Sequence, residues 1–121
     1  MDDETLQIIA SASHLASVTG QEKESFELVE CLRVAVPDDE TVETLRASAF
    51  IFASRFDEGE KILRDNVLAK NPENWRAKSL LGIALHGSGR ATERDRVLQE
   101  VIDAKPEDVS ALEIAESLLH T

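Results

Sequence analysis

Residues 72–108 read PENWRAKSLLGIALHGSGRATERDRVLQEVIDAKPED, and this stretch decides the fold. It opens and closes on a proline followed by an acidic residue, and Gly87-Ser88-Gly89 separates two apolar-periodic runs. Leu80, Leu81, Ala84 and Leu85 recur at helical spacing in the first run, and Val97, Leu98, Val101 and Ile102 in the second. Proline stops a helix because it lacks an N–H and its ring clashes with the preceding turn. Acidic side chains then favour the first turn of the next helix, where the peptide dipoles leave partial positive charge. Gly89 permits the left-handed turn that ends a helix. The stretch reads as helix, tight turn, helix, proline joint.

The unit recurs towards both ends. Pro37, Pro72 and Pro106 are spaced at intervals of about 34 residues, the first interval longer than the second by one. Each proline precedes acidic residues. Gly20 precedes Pro37 by the same interval at which Gly89 precedes Pro106. Ser54 stands one position further from Pro72, which assigns the one extra residue of the middle unit to its second helix. Apolar stripes accompany the joints: Leu6, Ile9, Leu15 and Val18; Phe26, Val29 and Leu32; Val42, Leu45, Ala49 and Phe52; Ile62, Leu63, Val67 and Leu68. Past Pro106 come Val109, Leu112, Ile114, Ala115, Leu118 and Leu119. The pattern predicts seven helices near residues 3–18, 22–35, 40–53, 57–70, 73–87, 91–104 and 107–119. These make an all-α solenoid in one domain, with hairpins at about 4–37, 38–72 and 73–106 and a capping helix in 107–121. Leu85 and Leu98 are expected to meet inside the third hairpin.

Composition agrees with helices. Hydrophobic residues make up 42% and aromatics 4% of the 121 residues, and tyrosine is absent. The net charge of −11 disfavours nucleic acid. The nearest basic stripe, Arg90, Arg94 and Arg96, is interleaved with Glu93 and Asp95 and reads as a solvated face. Cys31 is the single cysteine, so no internal disulfide can form, and a small buried hydrophobe is the expectation for it. The acidic start lacks the basic region of a signal peptide, and no apolar run is long enough for a membrane span. A soluble, cytoplasmic protein is expected.

No constellation for chemistry stands out. There is no phosphate-binding glycine loop and no Asp-x-Asp-x-Asp-Gly calcium loop. His14, His86 and His120 are isolated, with no spacing that would converge on zinc. The reading is of a protein that is not an enzyme and needs no cofactor or metal.

The helix-turn-helix unit of about 34 residues resembles the tetratricopeptide repeat. The third repeat carries the likeness best, in Leu81-Gly82, Leu85, Gly89, Leu98 and Pro106. The second supplies Ala47, Phe50 and Ser54–Gly59, and the first supplies Ser13, Gly20, Ser25, Val29 and Pro37. Arg94 and Glu22 depart from the pattern, standing where a small residue and an aromatic belong. At finer grain, residues 28–38 and 77–86 resemble small chaperones and repeat proteins of bacterial type III secretion. That resemblance implies a cytosolic holder of a helical secretion subunit, with a needle subunit or co-chaperone as partner. The alternative is a general scaffold or self-assembling adaptor without a secretion role, for which a homo-oligomer is one form of assembly.

In such repeats the first helices line a concave groove. The resemblance projects His14, Ser17 and Val18 into it from the first repeat, and Thr41, Thr44, Ser48, Ile51 and Phe52 from the second. The third gives Arg76, Ser79, Ile83 and His86. Three large apolar residues in a row, Phe50-Ile51-Phe52, span too wide an arc for one buried face, so at least one is expected to face elsewhere: Ile51 or Phe52 with Ile83 would seat a partner's amphipathic helix, and the alternatives are that a closing helix or a sister subunit covers the run or that it is core. A clamp for acidic peptide termini would need several converging cations, and Arg76 alone is on offer.

Overall fold

A computed structural model describes residues 2–121. Among them it holds seven helices and no strand: α1 Asp3–Val18, α2 Glu22–Ala35, α3 Glu40–Phe52, α4 Phe56–Ile62, α5 Trp75–Gly87, α6 Ala91–Ala104 and α7 Val109–Leu118. α4 runs on without a break into a π-helical turn, Leu63–Leu68. α1 packs with α2, α3 with α4, and α5 with α6, while α7 lies against both α5 and α6. α1, α3, α5 and α7 are neighbours in that order. The fold is an all-α helical repeat.

The repeat is visible in single hydrogen bonds. At each hairpin turn a backbone N–H reaches back five residues: Gln21 to the Ala16 carbonyl (2.8 Å), Arg55 to Phe50 (2.9 Å) and Arg90 to Leu85 (2.9 Å). This bond closes a Schellman turn, which needs a left-handed residue just before the donor. Gly20, Ser54 and Gly89 supply it, with φ of 79°, 62° and 74°. At each joint, two residues past the proline, a side chain caps the next helix. Asp39, Asn74 and Asp108 accept from the N–H of Val42, Ala77 and Ala111 at 2.9, 2.9 and 3.1 Å.

The extra residue of the middle repeat is taken up in the π turn. There Ala69 donates to the Arg64 carbonyl, five residues back, at 3.0 Å. A π turn accommodates one added residue without rotating the chain beyond it. Leu63 and Val67 of this turn are both fully buried.

Close approach between paired helices depends on small residues. A Cβ on Gly82 would overlap the Leu98 side chain, and one on Gly59 would press on Ile51 and the Ala47 carbonyl. In the first hairpin serines play this part. Ser13, Ser17 and Ser25 are buried between α1 and α2. Ser13 Oγ donates to the Ser25 carbonyl (3.2 Å), Ser17 Oγ to the Ser13 carbonyl (3.1 Å), and the Ser17 and Ser25 hydroxyls bond each other. Burial without such partners would be costly.

Four packing expectations need correction. Leu15 is exposed, because the narrow α1–α2 crossing admits serine and alanine and turns the larger side chains out. Leu85 and Leu98 are both fully buried but belong to separate clusters; Leu98 lies over Gly82 and joins α7's Ala111 and Ala115, while Leu85 joins the α4–α5 cluster. Cys31 is exposed. Arg94 is not on a solvated face: it is 4% exposed and donates to His86 Nδ1 (2.8 Å) and Asp95 Oδ1 (3.0 Å).

Candidate functional site

The twelve residues projected to line a groove separate into a buried group, to which Ser17 and Thr44 belong, and an accessible one that includes Thr41 and Arg76. Ser48, Ile51 and Ser79 are buried. Ser48 Oγ donates to the Leu45 carbonyl and Ser79 Oγ to the Ala111 carbonyl, each at 2.8 Å, so both hydroxyls are spent on backbone. Ile51 packs against Gly59 and belongs to the core cluster of α3, α4 and α5. A difference of one residue turns a helix by about 100°, which is the distance between lining a surface and filling a core.

The second group is accessible. Phe52 is 45% exposed and Val18 is 49% exposed. They hold equivalent places one repeat apart, at the ends of α1 and α3, which are adjacent. His14 is exposed one turn before Val18, and its ring meets Phe52 edge-on with centroids 6.2 Å apart. Ile83 of α5 is half-buried against the core, and His86 is exposed one turn later. The guanidinium of Arg94 has no acceptor to offer, so His86 Nδ1 must accept and the ring proton sits on Nε2. The run Phe50-Ile51-Phe52 thus divides three ways. Phe50 stacks on Phe26 of α2 (centroids 4.9 Å) beneath Arg55, Ile51 enters the core, and Phe52 faces out.

Charge is distributed unevenly around this patch. α2, α6 and the α4 segment with its π turn each carry four acidic residues, while α5 carries none. Glu60, Arg64, Arg90 and Glu93 join α4 to α6 in one ion-pair network, far in sequence from Val18 and Phe52. The patch itself is apolar, with the His14 imidazole at its edge, while His86 is turned towards Arg94 of α6. It is an open surface; two open clefts lie elsewhere, one lined by Arg46, Phe50, Lys61 and Asn66, the other by Ser54–Glu58 and Ser88.

Among the described residues no group of three or more His, Cys, Asp or Glu gathers as metal ligands. No helix among them is long and apolar enough to cross a membrane.

The fold and the exposed patch define the class: an all-α helical-repeat protein with an apolar shelf across the ends of its first two odd-numbered helices. No protein-family model, curated protein or solved structure matches the chain.

Proposed function

We propose that this chain is a tetratricopeptide-like holder that seats an amphipathic helix of another protein on the shelf formed by Val18, Phe52 and Ile83, with His14 at its rim. The observation that carries the reading is Phe52. A phenylalanine left 45% exposed beside a half-exposed valine is an anchor position without an occupant. An apolar helix face laid across adjacent helices is a recurrent mode of peptide recognition. The absence of Lys, Arg, Asp and Glu from Ser79 to Gly87 of α5 favours an occupant whose contacting face is uncharged.

Within this class, the likeness of residues 28–38 and 77–86 to type III secretion proteins favours a cytosolic chaperone that shields an aggregation-prone helical subunit. The test is capture from the native host with tagged wild type, Phe52→Ala and Val18→Asp. Both substitutions fall on exposed side chains, so the fold should survive them. Loss of the Phe52 anchor is expected to weaken the captured helix by about 2 kcal/mol, roughly 30-fold in Kd. Full-strength binding by both folded variants removes the shelf from the interface. A single small secreted helical subunit in the eluate supports the chaperone reading, and none argues against it.

A further inference from the structure

The odd-numbered helices carry a repeating row of three positions. Val42, Arg46 and Ala49 lie on α3, Ala77, Leu81 and Ala84 on α5, and Ala111, Ala115 and Leu118 on α7, each row one proline-to-proline interval after the last. Every member is buried or half-buried. The α5 row joins Ile62, Leu63 and Val67 of the hairpin before it, and the α7 row joins Leu98 and Val101 of its predecessor. The matching row on α1, one repeat before that of α3, is Ile8, Ala12 and Leu15. Ile8 and Leu15 are each 62% exposed and Ala12 is exposed, and among the described residues nothing covers them.

We propose that a second copy of this chain covers this row, the two α1 helices packing antiparallel about a two-fold axis between Ser11 and Ala12. The row is self-complementary about that point. Ile8 of one copy meets Leu15 of the other, and Ser11 meets Ala12, so large side chains flank a crossing narrow enough for close backbone approach. An isologous contact requires such palindromic spacing.

Charge selects the same surface. Each copy carries −11, so two copies repel wherever acidic faces meet. Yet from Leu6 to Gln21 there is no Lys, Arg, Asp or Glu, in a chain that is 31% charged. α1 is where two copies touch with the least repulsion. Head-to-tail stacking of this row onto the remaining apolar edge of α7 is disfavoured, because exposed Glu116 interrupts Leu112 and Leu119 there and would be buried without a partner. The contact therefore closes as a dimer.

Sedimentation equilibrium over a concentration series tests this. Wild type should approach twice its 13.3 kDa, and Ala12→Arg should stay at the single mass with unchanged helical circular dichroism. Phe52→Ala, on α3, should leave the dimer intact, which separates this contact from the helix-binding shelf. Should Ala12→Arg fail to fold, Ala12→Cys in a Cys31→Ser background decides. Mild oxidation should link it to a covalent dimer much faster than Gln99→Cys, whose position lies on exposed α6 surface. A wild-type mass of one chain throughout, a dimer that survives folded Ala12→Arg, or equal cross-linking at the two cysteines would overturn the proposal.

Discussion

Arg94 occupies the position that Ser25 and Gly59 hold in the two earlier repeats. All three are buried, so an arginine fills a site built for a small side chain. It is tolerated because His86 accepts from it and Asp95 balances its charge. Asp95 is tied in turn to the end of the chain through the His120 N–H at 3.0 Å. Periodicity cannot reveal such a residue, since one of its two acceptors, His86, comes from a different helix. The burial of Ser13 and Ser17 in preference to Leu15 was hidden for the same kind of reason. Hydrophobicity ranks side chains by transfer energy, whereas this crossing selects them by size. A testable consequence at this scale concerns Asp108. Its partial burial works to raise its pKa, but the Arg76 guanidinium and the N–H groups of Ala111 and Ser110 outweigh that and hold it below the usual value. A carboxyl depressed on folding stabilises the protein above its unfolded pKa, near 4, and that contribution is lost as pH falls through the lower folded value. Asp108→Asn keeps the cap but removes the titration. Its stability deficit relative to wild type, measured by urea unfolding, should be present at pH 6 and shrink below about pH 4. A deficit constant down to pH 2 would show that the charge contributes nothing.

Helices and turns were the most legible elements, whereas the capping side chains were not: the acidic residues after Pro72 and Pro106 precede α5 and α7 instead of entering their first turns. Proline followed by acidic residues marked the joints, and the αL positions at Gly20, Ser54 and Gly89 fell at the expected places, because these signals are local. The surplus residue of the middle repeat was legible as a count, and its place in the second helix comes from the Ser54–Pro72 spacing. Its form as a π turn was not, since a surplus residue can also lengthen a loop. The π turn makes a prediction about deletion. Removing exposed Asp65, which lies inside it, should restore a plain α-helix with the same phase on either side, at a cost of about 1 kcal/mol or less. Removing Gln99 from α6, which has no such turn, should rotate Val101 and Ile102 by about 100° and cost at least about 3 kcal/mol. Denaturation midpoints of the two variants measure this directly. Equal destabilisation would mean that the π turn is held by its surroundings rather than by the surplus residue.

Across the whole molecule, stability is graded. α1 buries only Ser13, Ala16 and Ser17, whereas α5 buries seven residues, among them Leu80, Leu81 and Leu85. Repeat proteins hold together through neighbouring units, so an end with little buried apolar surface can open without the rest. Native-state hydrogen exchange, run dilute enough to keep chains apart, should find α1 amides opening at a free energy about 2 kcal/mol or more below those of α5. Uniform protection along the chain would count against this gradient. The candidate site was legible in part for a reason of scale. That one residue of Phe50–Phe52 must face outward is dictated by helix geometry alone, but which one depends on how α3 is rotated against α2, α4 and α5. Only Phe52 emerges, and Ser48, Ile51 and Ser79 are withdrawn into the packed interior.

The π turn at Leu63–Leu68 also bears on how this chain can be aligned with itself. A surplus residue cancelled within one turn leaves the spatial period untouched while displacing the sequence period for every residue downstream. A fixed ruler cut to the shorter proline interval and laid from Ala47 would land on Leu81, and one laid from Phe50 on Ala84, each one short of the structural equivalents Gly82 and Leu85. The register of the helices is conserved in space and broken in the text, so superposition and string comparison give different answers for the same pair of repeats.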